Sequence, residues 1–347
     1  MNLKHTTLCF FTFIALNTYL IESYAQEASC DLCQAVESND IDSATTIVKN
    51  KDKLNELNEK GIWPLFLALK NRNEKMVRLL LEAGVNVNYT DTNGISALNG
   101  TVLADRPRMT QLLIEAGANP NLKSKDGNSA IHLAAITGKS RVLTELLKGE
   151  FNIDLQNANG ETPLSSATQA DNTADIISIL LKAGANPNRF DNEKLAPIHY
   201  VAMSNDMELL DLLIEYGADV NAQAGSGLTP VIASTTSQDN EEMIRALVDK
   251  EAKLETIGEL DGQAMTALMM ASMHTSSKNL KTLLKMGADP NTIAGGLTAL
   301  ALAVLTDNIR AVELLISHEA NPEFKFDGQS LIELAENKPE ILSLLTR

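Results

Sequence analysis

Apolar and polar positions along the chain repeat together, with a period close to 33 residues. Each cycle opens with a short apolar run. The openings fall at Trp63, Ser96, Ser129, Thr162, Ala196, Thr229, Thr266, Thr298 and Ser330, at intervals of 33, 33, 33, 34, 33, 37, 32 and 32 residues. The run predicts a slim first helix. A polar turn follows, and then a second apolar-periodic stretch carries leucine pairs (Leu79-Leu80, Leu112-Leu113, Leu146-Leu147, Leu212-Leu213, Leu283-Leu284), which predicts a second helix. A unit of this size cannot bury its apolar face alone. The pattern therefore predicts one elongated all-α solenoid of about ten stacked helix–turn–helix units rather than two globular domains.

Each part of the cycle has a mechanical reason. A hydroxyl at the opening caps free N–H groups, and a proline after it tolerates the first turn. The turn between helices needs a residue that accepts left-handed geometry, and Asn39, Asp105, Gly138, Asn205 and Asp307 fit. Gly84, Gly117, Gly184, Gly217 and Gly287 stand where the second helix must stop. Glu150, Glu251 and Glu319 replace that glycine, so poorer capping is expected there. One extra residue falls between Gln169 and Asp175. A lengthened polar segment, Glu255 to Met265, is expected to be the most mobile loop.

The clearest unit reads APIHYVAMSNDMELLDLLIEYGADVN from Ala196, with SAIHLAAITG from Ser129 and TPLSSA from Thr162 on the same plan. These residues resemble the ankyrin repeat, whose pattern is Thr-Pro-Leu-His-x-Ala, a short loop, Leu-Leu, and Gly-Ala-Asp/Asn-x-Asn. The resemblance spans nearly all of the chain after its first residues. It implies an ankyrin-repeat solenoid with short β-hairpin-like fingers between units. It also implies a non-enzymatic binding function, exercised through the fingers and the concave face of the first helices. The expected division is 1–25 signal peptide, 26–60 N-terminal capping unit, 61–327 repeats and 328–347 C-terminal capping unit.

Composition narrows the partners. The chain has 347 residues, 44% apolar and only 4% aromatic, with formal charge -16 and pI near 4.8. Such a surface repels nucleic acid and anionic lipid, since binding either rests on Lys and Arg neutralising phosphates. The charge is expected to keep a long exposed body soluble and monomeric, the alternative being an acidic patch for a basic partner. The expected partner is another protein, with no nucleic acid and no cofactor.

The first residues read as a secretory signal. Lys4 and His5 precede the apolar stretch Leu8 to Leu16, and small residues at Ser23 and Ala25 suit cleavage after Ala25. The stretch is too short and interrupted to span a membrane, and no later segment is long enough. The mature protein is expected in the periplasm or secreted, without membrane insertion. Similarity to exported bacterial ankyrin proteins implies an envelope role, such as shielding or organising another exported protein. A secreted protein aimed at a host target is the alternative.

Cys9 would leave with the signal, and Cys30-Asp31-Leu32-Cys33 remains. In the register of the resemblance the two cysteines take the Thr and His places of the motif. Those side chains meet at a helix start, which implies a local disulfide in an oxidising compartment. A thiol–disulfide exchange site is the alternative, since Cys-x-x-Cys at a helix start lowers a thiol pKa. The surrounding βαβ pattern of redox folds is missing, and no metal-ligand set accompanies the pair. His132 and His199 are motif histidines, expected to hydrogen bond at helix starts and between repeats. His274 and His318 carry no second ligand at metal spacing, so no metal site is expected.

The resemblance places the eighth position of each unit on the concave groove. It reads Lys70, Leu103, Ile136, Gln169, Met203, Thr236, Met273 and Leu305. The apolar members Leu103, Ile136, Met203, Met273 and Leu305 are candidate partner contacts, with methionine suited to varied surfaces. The competing expectation is that neighbouring helices cover them. Aromatics on the fingers, Tyr89 and Phe190 with Phe324 and Phe326, are the second candidate set, some of them expected to staple adjacent fingers.

Overall fold

The computed structural model describes residues 30–346 apart from 172, 238 and 261. The expected signal peptide (1–25), with Lys4, Cys9 and Ala25, lies outside the described residues. The chain divides into two compact units, up to Ala158 and from Asn159 onward.

The first unit holds four helix pairs: α1 (Asp31–Glu37) with α2 (Ile41–Ile47), α3 (Pro64–Lys70) with α4 (Glu74–Ala83), α5 (Ala97–Leu103) with α6 (Pro107–Glu115), and α7 (Ala130–Ile136) with α8 (Ser140–Leu146). First helices pack on first helices in order, and second helices on second helices. The core is the row of fully buried side chains between them, including Leu32, Leu65, Met76, Leu80, Leu98, Leu113, Leu143 and Leu146. The second helix of the first pair starts at Ile41, because Asp40 caps it by accepting the Ser43 N–H at 3.0 Å.

The second unit holds six pairs: α9 (Pro163–Thr168) with α10 (Ala174–Lys182), α11 (Pro197–Ser204) with α12 (Met207–Glu215), α13 (Pro230–Ser234) with α14 (Glu241–Asp249), α15 (Ala267–Met273) with α16 (Lys278–Lys285), α17 (Ala299–Leu305) with α18 (Ile309–Ser317), and α19 (Leu331–Leu334) with α20 (Pro339–Leu345). Two hairpins join them. β1 (Gly258–Leu260) pairs antiparallel with β2 (Gln263–Met265), and β3 (Lys325–Phe326) with β4 (Gln329–Ser330). The segment expected to be the loosest loop is the longer of these hairpins. It is joined to the preceding finger by the Glu259 N–H donating to the Ser226 carbonyl at 2.6 Å.

All nine openings legible in the sequence are helix N-caps. Seven, the Ser and Thr members, accept a backbone N–H from the third helical residue, whereas Trp63 and Ala196 offer no side-chain cap. The five turn residues read from sequence all adopt positive φ, and Arg72 and Asp239 join them.

The three glutamates divide. Glu251 and Glu319 take the left-handed place of the glycine, at φ 68° and 66°. They keep its hydrogen bonds: the Ala252 N–H reaches the Leu247 carbonyl at 2.9 Å, and the Ala320 N–H reaches Leu315 at 3.0 Å. The expectation of lost capping is therefore corrected for these two. The cost is backbone strain in a residue bearing a Cβ, with no hydrogen bond missing. Glu150 does not enter that region. Its second helix is short, and the chain leaves it with Gly149 packed on Ile114.

Candidate functional site: the inner row and the fingers

The first five inner helices of the second unit carry no formal charge. Residues 162–170, 196–204, 229–237, 266–277 and 298–306 contain no Asp, Glu, Lys or Arg. Most of their side chains are spent on packing. The eighth position is the exception. In the second unit Met273 and Leu305 are 40% and 41% exposed, and Met203 is half-buried beside the half-buried Thr236 and Gln169. In the first unit Leu103 and Ile136 are half-buried and Lys70 is exposed. Neighbouring helices thus do not cover this stripe fully.

The two finger candidates separate. Phe190 is exposed. Tyr89 is half-buried, with its ring 4.9 Å from that of Trp63, which in turn packs on Phe66 at 5.1 Å. Tyr89 braces its finger against a helix start.

Sequence reasoning missed Ile257 and Ile293, which are 47% and 56% exposed. They occupy the same register as Phe190 and Leu57, where other fingers carry Thr90, Lys123, Gln156, Gln223 and Lys325. An apolar side chain at a polar position was the available signal. The two fingers are tied together. Glu255 accepts the Asp289 N–H at 2.9 Å on one carboxylate oxygen and the Thr292 hydroxyl on the other.

The fingers are held by a ladder that explains the last Asn of the repeat. Asn221 donates its amide to the Glu251 carbonyl at 3.1 Å and accepts the Lys253 N–H at 2.8 Å. Asn88, Asn121, Asn188 and Asn291 make the same pair of bonds to the next repeat. Glu255 stands in this register. A carboxylate accepts but cannot donate, so only the accepting half of the clasp survives.

Histidines act as further clasps. His199 is fully buried, and its Nε2 donates to the Ala222 and Leu228 carbonyls at 3.1 and 3.0 Å while Nδ1 accepts the Ala196 N–H at 3.1 Å. Burial holds its pKa below the ordinary imidazole value. His132 has its Nδ1 2.9 Å from the Ser129 hydroxyl. Asn99 fills the same motif place. Its Oδ1 accepts the Ser96 N–H at 3.0 Å, but its buried Nδ2 has no partner among the described residues. His274 bonds the Thr235 carbonyl at 2.7 Å, and His318 lies at 2.9 Å from that of Leu314. Beside the inner row, burial and a hydrogen bond to Asp191 push the Tyr200 hydroxyl pKa far up.

Cys30 and Cys33 are joined by a disulfide, with Cα atoms 5.2 Å apart. Both are buried, and Cys30 caps α1 by accepting the Cys33 N–H at 3.0 Å. Among the described residues no group of His, Cys, Asp or Glu could hold a metal ion. None of their helices is long and apolar enough to cross a membrane. The first unit also has an open hollow of about 720 Å³ between the ends of α6 and α8, lined by Gln111, Ile114, Glu115 and Lys148.

Comparison with known proteins gives a consistent result. Family models described as ankyrin repeats match residues 32–124, 101–191 and 198–294, and a single-repeat model matches 295–325. An ankyrin repeat protein of Vaccinia virus (strain Copenhagen) is 28% identical over 202 residues, covering 50% of this chain and 36% of that protein. An ankyrin repeat-containing protein of Treponema pallidum (strain Nichols) is 31% identical over 121 residues, 35% of this chain and 40% of that one. The chain thus spans well under two thirds of either relative. The crystal structure of the ankyrin repeat domain of Bcl-3 superposes with a TM-score of 0.58 at 23% identity, over 63% of this chain and 100% of that one. That likeness concerns the fold.

Proposed function

The chain belongs to the ankyrin-repeat family, and from that premise we propose that it is a non-enzymatic scaffold in an exported compartment, binding a partner protein through the inner row and fingers. Ankyrin repeats typically serve as protein-binding scaffolds, and the models that match this chain are models of repeats. The observation that carries the reading is the run of five uncharged inner helices in the second unit, whose eighth-position side chains, Met273 and Leu305 above all, stay exposed. An apolar side chain left in water at a recurring position is a contact in waiting. The Cys30–Cys33 disulfide supports an oxidising compartment, periplasmic or extracellular. The thiol–disulfide exchange alternative has less support, because both sulfurs are buried and a protein substrate must reach them.

The test is a photo-crosslinking residue placed at Leu103, Ile136, Met203, Met273 or Leu305 in the source cell, with Glu313 on a second helix as control. The expected result is one recurrent exported protein captured from inner-row positions and absent from Glu313. Equal capture from Glu313, or silence from all five, overturns the reading. Fractionation then separates an envelope role from release into the medium.

A further inference from the structure

Charge and exposed apolar area fall on the same unit. After Asn159 there are 27 acidic and 13 basic residues; before it there are 18 and 16. Of the exposed large apolar residues among the described residues, only Leu57 lies in the first unit, while Phe190, Ile257, Met273, Ile293, Leu305, Ile309 and Ile332 lie in the second. Apart from Glu333 on α19, the acids of the second unit lie outside the first helices, on the fingers, the turns and the second helices. Around Ile257 and Ile293 they are Glu255, Glu259 and Asp289, and Lys253 is the single cation on those fingers among the described residues.

The geometry points to an extended cationic polypeptide segment with aliphatic anchors as the occupant of this finger pair. Its aliphatic side chains would lie against Ile257 and Ile293 and run toward Met273 and Leu305, whose helices α15 and α17 are packed together. Its Lys or Arg side chains would face Glu255 and Glu259. This rests on the scaffold reading above and names the partner's chemistry. A second copy of the chain fits poorly, because two such faces bring together units that each carry a large negative excess. An anionic lipid surface fails for the same reason. Steering by acids and holding by apolar contacts are separable: the first weakens with salt, the second does not.

The experiment measures fluorescence anisotropy of labelled 15-residue peptides with the full chain, at low and high salt. The peptides alternate Lys with Leu, Lys with Ser, or Glu with Leu. The Lys/Leu peptide is expected to bind at least tenfold more tightly than the other two. Ile257→Asn and Ile293→Asn are each expected to lose about fivefold, an amount ordinary for one apolar anchor. Both side chains are about half exposed, so thermal unfolding should move little and confirm folding. Glu259→Lys should weaken binding and flatten its salt dependence, while Asp249→Asn with Glu313→Gln on second helices should change neither.

Equal binding of Lys/Ser and Lys/Leu peptides, or indifference to both isoleucine variants, overturns the inference. So does concentration-dependent dimerisation that Ile293→Asn abolishes, which would make a second copy the occupant. Crosslinks from Leu103 or Ile136 without any peptide effect would remove this occupant and leave the scaffold reading intact. Silence from both experiments removes both.

Discussion

The two units are built on one template and differ in what they show to solvent. The first is close to electrically balanced, pins its opening helix with a disulfide, and folds Trp63, Phe66 and Tyr89 into one another. The second has no cysteine, carries most of the negative charge, and leaves apolar side chains on its fingers and inner row in water. The clasps are the same in kind across both. Asn88 and Asn221 make equivalent bonds, and so do the caps Ser96 and Thr266. The frame is thus held by the same kinds of bond in both units, and the difference falls on positions the frame does not use.

The strongest way to break the comparison is at the motif histidine. His199→Ala removes a buried ring and leaves two finger carbonyls unpaired, which should cost the second unit about 3 kcal/mol. The same change at Asn99 should cost the first unit only about 1 kcal/mol, because its amide nitrogen already lacks a partner. Urea unfolding followed by hydrogen exchange in each unit checks both. Loss of equal size at the two sites would mean the clasp is not what His199 contributes.

Next comes the disulfide. Cys30→Ser with Cys33→Ser should destabilise the first unit by about 2 kcal/mol, the closure entropy of a short loop. Exchange protection should fall in α1 and α2 and stay unchanged in α15 to α18. A matching loss of disulfide reductase activity would instead revive the redox reading.

A smaller effect sharpens the ladder. Asn221→Ala should cost about 1–2 kcal/mol through its two lost bonds, whereas Glu255→Asn should change stability by less than about 1 kcal/mol, because the restored donor is offset by the lost Thr292 hydroxyl bond. Glu251→Gly and Glu319→Gly should each stabilise by about 1 kcal/mol by relieving left-handed strain. Thermal melts of the single variants decide these signs.

The smallest effect is pH-dependent. His199 is held below its unfolded pKa of about 6.5 by burial, so the unfolded chain takes up the proton first. Its contribution is complete above that pH and declines as pH falls below it. The drop in melting temperature from pH 7.5 to 5.5 should be smaller in His199→Gln than in the parent chain.

Much of this frame was legible in the sequence because local chemistry dictates it. A Ser or Thr before an apolar run can only be useful as a cap, and Gly84 or Gly287 after a leucine pair as a helix stop. The glutamates were harder. Whether a residue with a side chain accepts left-handed geometry depends on the bonds it secures, and Glu251 secures them where Glu150 takes another path. The surface was least legible. Met273 and Leu305 share the spelling of a core residue, and only the packing of α15 and α17 shows how much of each remains outside. Ile257 and Ile293 were readable in principle, as apolar intruders in a polar register, but each stands alone among polar neighbours and makes no periodic pattern.

The ladder has a mechanical consequence. Its rungs link each repeat only to the next, so a load applied along the second unit is carried in series, and the weakest rung sets the strength of the whole. At Glu255 the amide donor is missing, but the Thr292 hydroxyl supplies a second bond. Traction by a tethered partner on the adjacent fingers would be shared there with the Asn279 side chain, which accepts the Asn240 N–H at 2.8 Å and donates to the Ser237 carbonyl at 2.8 Å across the same junction. The α13–α14 to α15–α16 junction should therefore hold as long as one clasped by asparagine.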